Sequence, residues 1–203
     1  MSKHEKPDTT APQEGGKAKV RDRIFDTACE LFYQHGIRCV GVDAITTEAG
    51  TNKMSFYRSF SSKDELVAEY LREQERLHWQ WWDEVIAPYA GDARKQVEAL
   101  FDAYVAKVRK KDKCGCAFVN AAVEIREPDH PALAVVHGYK AEMRHRLRTL
   151  AKEMGASDPA VLGDALTLLV EGCAMSRLAF VCRDGPFVNA GRAARTLIEA
   201  HLA

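Results

Sequence analysis

Between Thr51 and Lys63 the chain reads TNKMSFYRSFSSK, which sets amide, hydroxyl and cationic side chains at the spacing of one short helix and the start of another. Thr51, Asn52, Lys53, Met54 and Ser55 fall in the first turn of that short helix, where side chains can face the base edges of a DNA major groove. Lys53 can donate to guanine O6 and N7. Tyr57, Arg58 and Lys63, the last through both its amide and its side chain at a helix N-terminus, suit phosphate oxygens. Phe56 and Phe60, four apart, read as core anchors. The chemistry this pattern offers is recognition of double-stranded DNA.

A second set lies further along. Trp82, Phe101, Tyr104, Phe118, Asn120, Glu124, His137 and Glu171 combine aromatic faces with a few polar groups, the composition of a small-molecule pocket between helices. Asn120 and Glu124 stand out, because they are polar and four apart on an otherwise apolar helix. A third candidate is Cys114-Gly-Cys116. With no second Cys or His pair at finger-like spacing it offers no metal site. A thiol or electrophile sensor is the alternative, with Lys110, Lys111 and Lys113 available to lower the pKa of an exposed Cys114; two buried thiols opening a helix is the plainer reading. No P-loop, GxSxG, HExxH or GxGxxG is present, and nothing fixes Glu124 against His130 or His137 as an acid/base pair. The expectation is neither an enzyme nor a cofactor protein.

The elements that must position these residues are all helical. From Lys17, the residues Val20, Ile24, Ala28, Leu31 and Phe32 form one stripe closed by Gly36, which predicts a first helix. A short second helix is predicted over Val42 to Ala49, weakly capped by Val40-Gly41, and Gly50 ends it. The third starts at the N-cap Asn52 and runs for about seven residues, too short to stand alone. Ser62 and Glu65 form a capping box that opens a long fourth helix, ending before Pro88. Asp92 opens a fifth, and the stretch after Cys114 a short sixth closed by a Pro-rich loop. Pro131 begins a seventh with the seam Val136, Tyr139, Met143, Leu147 and Leu150. Asp158-Pro159 opens an eighth that is apolar nearly all round and needs cover on several sides. A ninth runs from Asn189 to Leu202. No segment alternates as a strand does, and no repeat occurs.

The 203 residues are 46% hydrophobic, enough for a real core, and carry no net charge. A neutral sum does not favour nucleic acid. A compact head needs only a local cationic set, however, and Lys17, Lys19, Arg21, Arg23, Lys53, Arg58 and Lys63 supply one. The six cysteines are scattered, as in a reducing compartment. The first 16 residues are polar and lack apolar periodicity, which predicts a disordered arm rather than a signal peptide. With no apolar run of membrane length evident, the expected location is the cytoplasm, with no membrane partner.

Across residues 36 to 66 the sequence resembles the TetR family of transcriptional regulators. The resemblance is carried by Gly36, Ile45-Thr46, Ala49-Gly50-Thr51-Asn52, Ser55-Phe56-Tyr57, Ser59-Phe60, Ser62-Lys63-Asp64 and Leu66. Two positions depart from the family pattern: Val40-Gly41 replaces a Thr at the second helix start, and Ser59 replaces a His. The segment CGCAFVNAAVEIREPDHPA also looks like a C-terminal subtype within that family. The resemblance implies an all-α protein, with an arm at 1–16, a helix-turn-helix head at 17–61 and an effector-binding, dimerising body at 62–203. It further implies a homodimer on a palindromic operator, joined through the last two helices, with Leu162, Ala165, Leu169, Gly172, Ala193 and Leu197 at the interface. The function implied is a repressor released from DNA by a small molecule; a helical adaptor that has lost DNA binding is the remaining alternative.

Overall fold

The computed structural model describes residues 14–109, 115–180 and 185–202, and every regular element among them is a helix. Residues 1–13 of the arm expected at 1–16 lie outside the described residues, as do Lys110, Lys111, Lys113, Cys114 and Cys182, and residues 14–16 are helical instead. The first helix, α1, is Glu14–His35, so it begins three residues before the periodicity that marks it. The next two are α2, Val42–Glu48, and α3, Lys53–Ser59. The capping box opens α4, Lys63–Ile86, which runs into a 3-10 turn at Ala87–Tyr89. The body continues with α5, Ala93–Val108, α6, Ala117–Glu124, α7, Pro131–Glu153, α8, Pro159–Ala179, and α9, Ala190–Leu202.

Local chemistry sets these boundaries. Asn52, Ser62, Asp92 and Asp158 each accept a hydrogen bond from an amide of the helix they open, which satisfies a donor left over by helix geometry. Gly41 can offer no such bond to α2. Thr46 is buried and donates its hydroxyl to the Val42 carbonyl at 2.9 Å, a bond within the helix that caps none of its first amides.

Ile24, Ala28, Phe32, Ile45, Phe56 and Phe60 close the core of the head, with Leu66, Val67 and Tyr70 of α4 buried against it. The Phe32 and Tyr70 rings sit 5.7 Å apart, which fastens α4 to α1. The first two turns of α4, beyond residue 61, thus pack against the head. In the body, α7 and α8 pack closely where Gly163 meets Arg148; a Cβ on Gly163 would come within 2.6 Å of the Arg148 Cα. Asp164 beside it accepts from both Arg144 and Arg148, and these guanidinium groups hold its carboxyl well below the usual carboxylate range.

Contrary to the expectation of no run of membrane length, Pro159–Ser176 is long and apolar enough to cross a membrane by length and composition, and only 28% of that window is buried. Its inner side, Leu162, Leu166, Val170 and Cys173, belongs to the core. Its outer side shows Val161, Leu168 and Met175, one every seven residues, with Leu168 72% exposed.

Candidate nucleic-acid interface and effector cavity

On α3 the anchors and the candidate readers separate cleanly. Phe56 and Phe60 are buried with their rings 5.7 Å apart, whereas Met54 and Tyr57 are 77% and 57% exposed. The Tyr57 ring packs edge-on to Phe56 and leaves its phenol outward, so a core role for it is excluded. Lys53 projects to solvent and pairs with Asp43 of α2 at 2.8 Å, the carboxylate favouring its charged form. Asn52 spends its side-chain oxygen on the Ser55 amide at 3.0 Å, which leaves it a capping residue first. Arg58 is exposed and leans on Ser55, 3.4 Å away. Thr51 is half-buried beside this surface.

Lys63 departs from expectation. Its ammonium donates to the Ile37 carbonyl at 2.6 Å and lies over the Phe32 ring, so the side chain stitches α4 to the turn after α1. Burial lowers its pKa. Only its backbone amide, in the first turn of α4, is placed as a phosphate donor. Arg21 is likewise engaged, paired with Glu69 and seated over the Phe60 ring.

The body encloses a cavity of about 300 Å³ beneath α4, α5, α6, α7 and α8. Three of the eight residues picked out for a ligand line it: Tyr104, Phe118 and Glu171. Five do not. Trp82 and Phe101 are fully buried core, Trp82 against the rings of His78 and Trp79. His137 points to solvent from α7 and Asn120 is half-buried on α6. Glu124 faces the head, where its carboxylate accepts from the Arg38 amide. Aromatic composition alone does not distinguish a cavity wall from the layer behind it.

Residues that composition missed complete the wall, notably Gln74, His78, Tyr139 and Lys140. His78 is legible in sequence only as one of two polar residues, with Gln80, among Leu77 and the three tryptophans up to Trp82. Its Nε2 lies 3.2 Å from the Tyr104 hydroxyl. Burial, then the nearby Lys107, Lys140 and Arg146, push its pKa down to about 3, so it is a neutral hydrogen-bonding group at physiological pH. Phe118 stacks on Tyr139 with ring centroids 3.7 Å apart. Lys140 pairs with Glu171 at the cavity edge. Cys116 and Cys173 also line the cavity, and burial pushes the Cys173 thiol up to about 11, which keeps it protonated and poorly nucleophilic. Among the described residues no group of three or more His, Cys, Asp or Glu is placed to hold a metal ion.

Of the residues named for a dimer interface, Leu162 is buried in its own subunit's core and is not part of the free face. Gly172 is exposed, and Ala165, Leu169, Ala193 and Leu197 are half-buried.

Comparison with known proteins agrees with this architecture. Residues 24–70 match the family model described as bacterial regulatory proteins, tetR family. The HTH-type transcriptional repressor KstR2 of Rhodococcus jostii (strain RHA1) is 28% identical over 135 residues, which is 66% of this chain. That alignment spans about half, 55%, of the length of the curated relative. The crystal structure of SCO4454, a TetR-family transcriptional regulator from Streptomyces coelicolor, superposes with a TM-score of 0.75 at 28% identity, covering 91% of this chain and 95% of that one. A regulator from Saccharomonospora viridis in complex with choline has a TM-score of 0.73 at 18% identity, covering 90% and 96%, and shares the fold.

Proposed function

Since the chain belongs to the TetR family of bacterial regulatory proteins, we propose that it is a one-component transcriptional repressor whose grip on a palindromic operator is released by a small molecule. The observation that carries this reading is the path of α4. Its residues Leu66 to Leu71 are core of the head, while Gln74, Leu77 and His78, one to two turns on, line the cavity. At about 1.5 Å per residue, a molecule at His78 acts some 10 Å from the head along one rigid rod. Tyr33 of α1 also reaches the cavity, so a second helix of the head is part of its wall.

In the repressing state two subunits present their α3 helices to successive major grooves about 34–36 Å apart. Lys53, Met54 and Ser55 face bases, and Tyr57, Arg58 and the Lys63 amide hold phosphates. The outer stripe of α8, with Val161, Ala165, Leu168, Gly172 and Met175, joins the subunits together with Ala193 and Leu197 of α9. That role accounts for an apolar helix only partly covered within one chain. An occupied cavity shifts α4 and changes the separation of the two heads. The effector fitting this wall is a compact, mostly apolar molecule that presents a hydrogen-bonding group to His78 and Tyr104.

The test is a mobility shift on DNA upstream of the gene, over a range of salt, followed by a compound screen for loss of the shifted band. Binding to a discrete site, with affinity falling steeply as salt rises, is expected. An adaptor or an enzyme would give no discrete site.

A further inference from the structure

The turn between α1 and α2 is anchored by its buried Ile37 and Val40 side chains, while its backbone polar groups rely on partners from elsewhere in the chain. Gly36 ends α1 at φ +87°, and Gly41 opens α2 with no side-chain cap. Residues outside the turn hold what lies between. The Lys63 ammonium takes the Ile37 carbonyl at 2.6 Å. The carboxylate of Glu124, 86 residues away in the body, takes the Arg38 amide at 2.9 Å, and the Arg38 guanidinium reaches back to the Glu124 carbonyl at 3.5 Å. The carboxylate sits so close over Gly36 that a Cβ there would lie 3.0 Å from its Oε2.

Glu124 is the last residue of α6, and α6 begins at the cavity, where Ala117 and Phe118 form part of the wall. Phe118 is buried and stacked on Tyr139. A helix of eight residues moves as one piece, so displacing its cavity end must displace its far end, about 10 Å away. The Arg38 amide then loses its acceptor.

We infer that Glu124 is a positioning residue for the DNA-binding head, and that α6 is a second route, separate from α4, by which occupancy of the cavity reaches the α1–α2 turn. With the cavity empty, Glu124 fixes the turn from which α2 departs. With it filled, α6 shifts and the turn is freed. This rests on the reading of the cavity as an effector site, but its test needs neither effector nor DNA.

The measurement is hydrogen–deuterium exchange of the full chain, followed in peptides covering residues 36–41. Glu124→Ala speeds exchange there about tenfold or more, as loss of a charge-assisted bond to the Arg38 amide requires, while Glu124→Gln, which keeps an acceptor oxygen, changes it less. Ala174→Phe, which fills the cavity from α8, speeds exchange in the same peptides of the otherwise wild-type chain and adds nothing in the Glu124→Ala background; Ala117→Leu replaces it if that variant does not fold. The proposal is overturned if Glu124→Ala leaves 36–41 unchanged, if filling the cavity leaves those peptides unmoved, or if filling speeds them equally with and without Glu124. Failure of operator binding in the mobility shift would instead count against the regulator reading and leave these outcomes as they stand.

Discussion

At the scale of single residues, Lys53 and His78 carry the sharpest consequences. Lys53 must leave Asp43 to reach a base, and a fully exposed pair of this kind is screened by solvent and holds it weakly, so the exchange is cheap. Lys53→Ala is expected to relax preference at one base pair by about 1–3 kcal/mol, read from relative affinities over an operator panel. Asp43→Asn, which removes the exposed carboxylate beside Lys53, should tighten binding to all sequences alike. His78 governs a pH effect. Folded, its pKa is depressed to about 3 from 6.5, so below 6.5 the unfolded chain binds the extra proton and stability falls as pH drops toward 3. The loss at pH 5 is on the order of 2 kcal/mol. Denaturant titrations at pH 7 and pH 5 check this: His78→Gln should flatten the difference, and an unchanged slope would remove His78 as its source.

At the scale of elements, much was legible because its causes are local. The caps at Asn52, Ser62, Asp92 and Asp158 depend on residues three or fewer positions away, and each opens the helix predicted from it. Glu124 shows the opposite case. On α6 alone it is a polar residue four from Asn120, and only a contact across 86 residues reveals that it serves the head. Lys63 was misread for the same reason, since the Ile37 carbonyl that captures its ammonium lies 26 residues back. Tyr139 lies in the periodic seam of α7 and also on the cavity wall, because periodicity identifies which face is inward and not whether that face meets a neighbour or a void. Two element-level substitutions follow. Leu168→Arg, on the exposed face of α8, should leave the helical spectrum intact and convert a dimer to a monomer in sedimentation velocity. Gly163→Ala pushes α7 and α8 apart at a backbone contact and should lower stability by about 1–3 kcal/mol, measured by thermal melting.

At the scale of the whole molecule, a neutral chain and a DNA-binding surface are compatible because charge is distributed rather than summed. Lys53 and Arg58 are exposed on α3, while the carboxylates of the body are largely tied up in pairs such as Arg144 and Arg148 with Asp164, Arg146 with Glu142, and Lys140 with Glu171. The residues of the two departures, Val40-Gly41 and Ser59, sit differently. Val40 is buried, Gly41 is an exposed N-cap, and Ser59 turns its hydroxyl onto the Ser55 carbonyl at 2.9 Å, so none of the three presents a hydroxyl or imidazole to a phosphate. Under the proposed function, affinity comes from Tyr57, Arg58 and backbone amides. The most direct measurement is fluorescence anisotropy of the purified protein with labelled DNA from upstream of its gene, titrated against a scrambled duplex of equal length. Saturable binding to one palindromic site, roughly a thousandfold or more tighter than to the scrambled duplex, is expected. Equal affinity for the two duplexes at every salt concentration would contradict it.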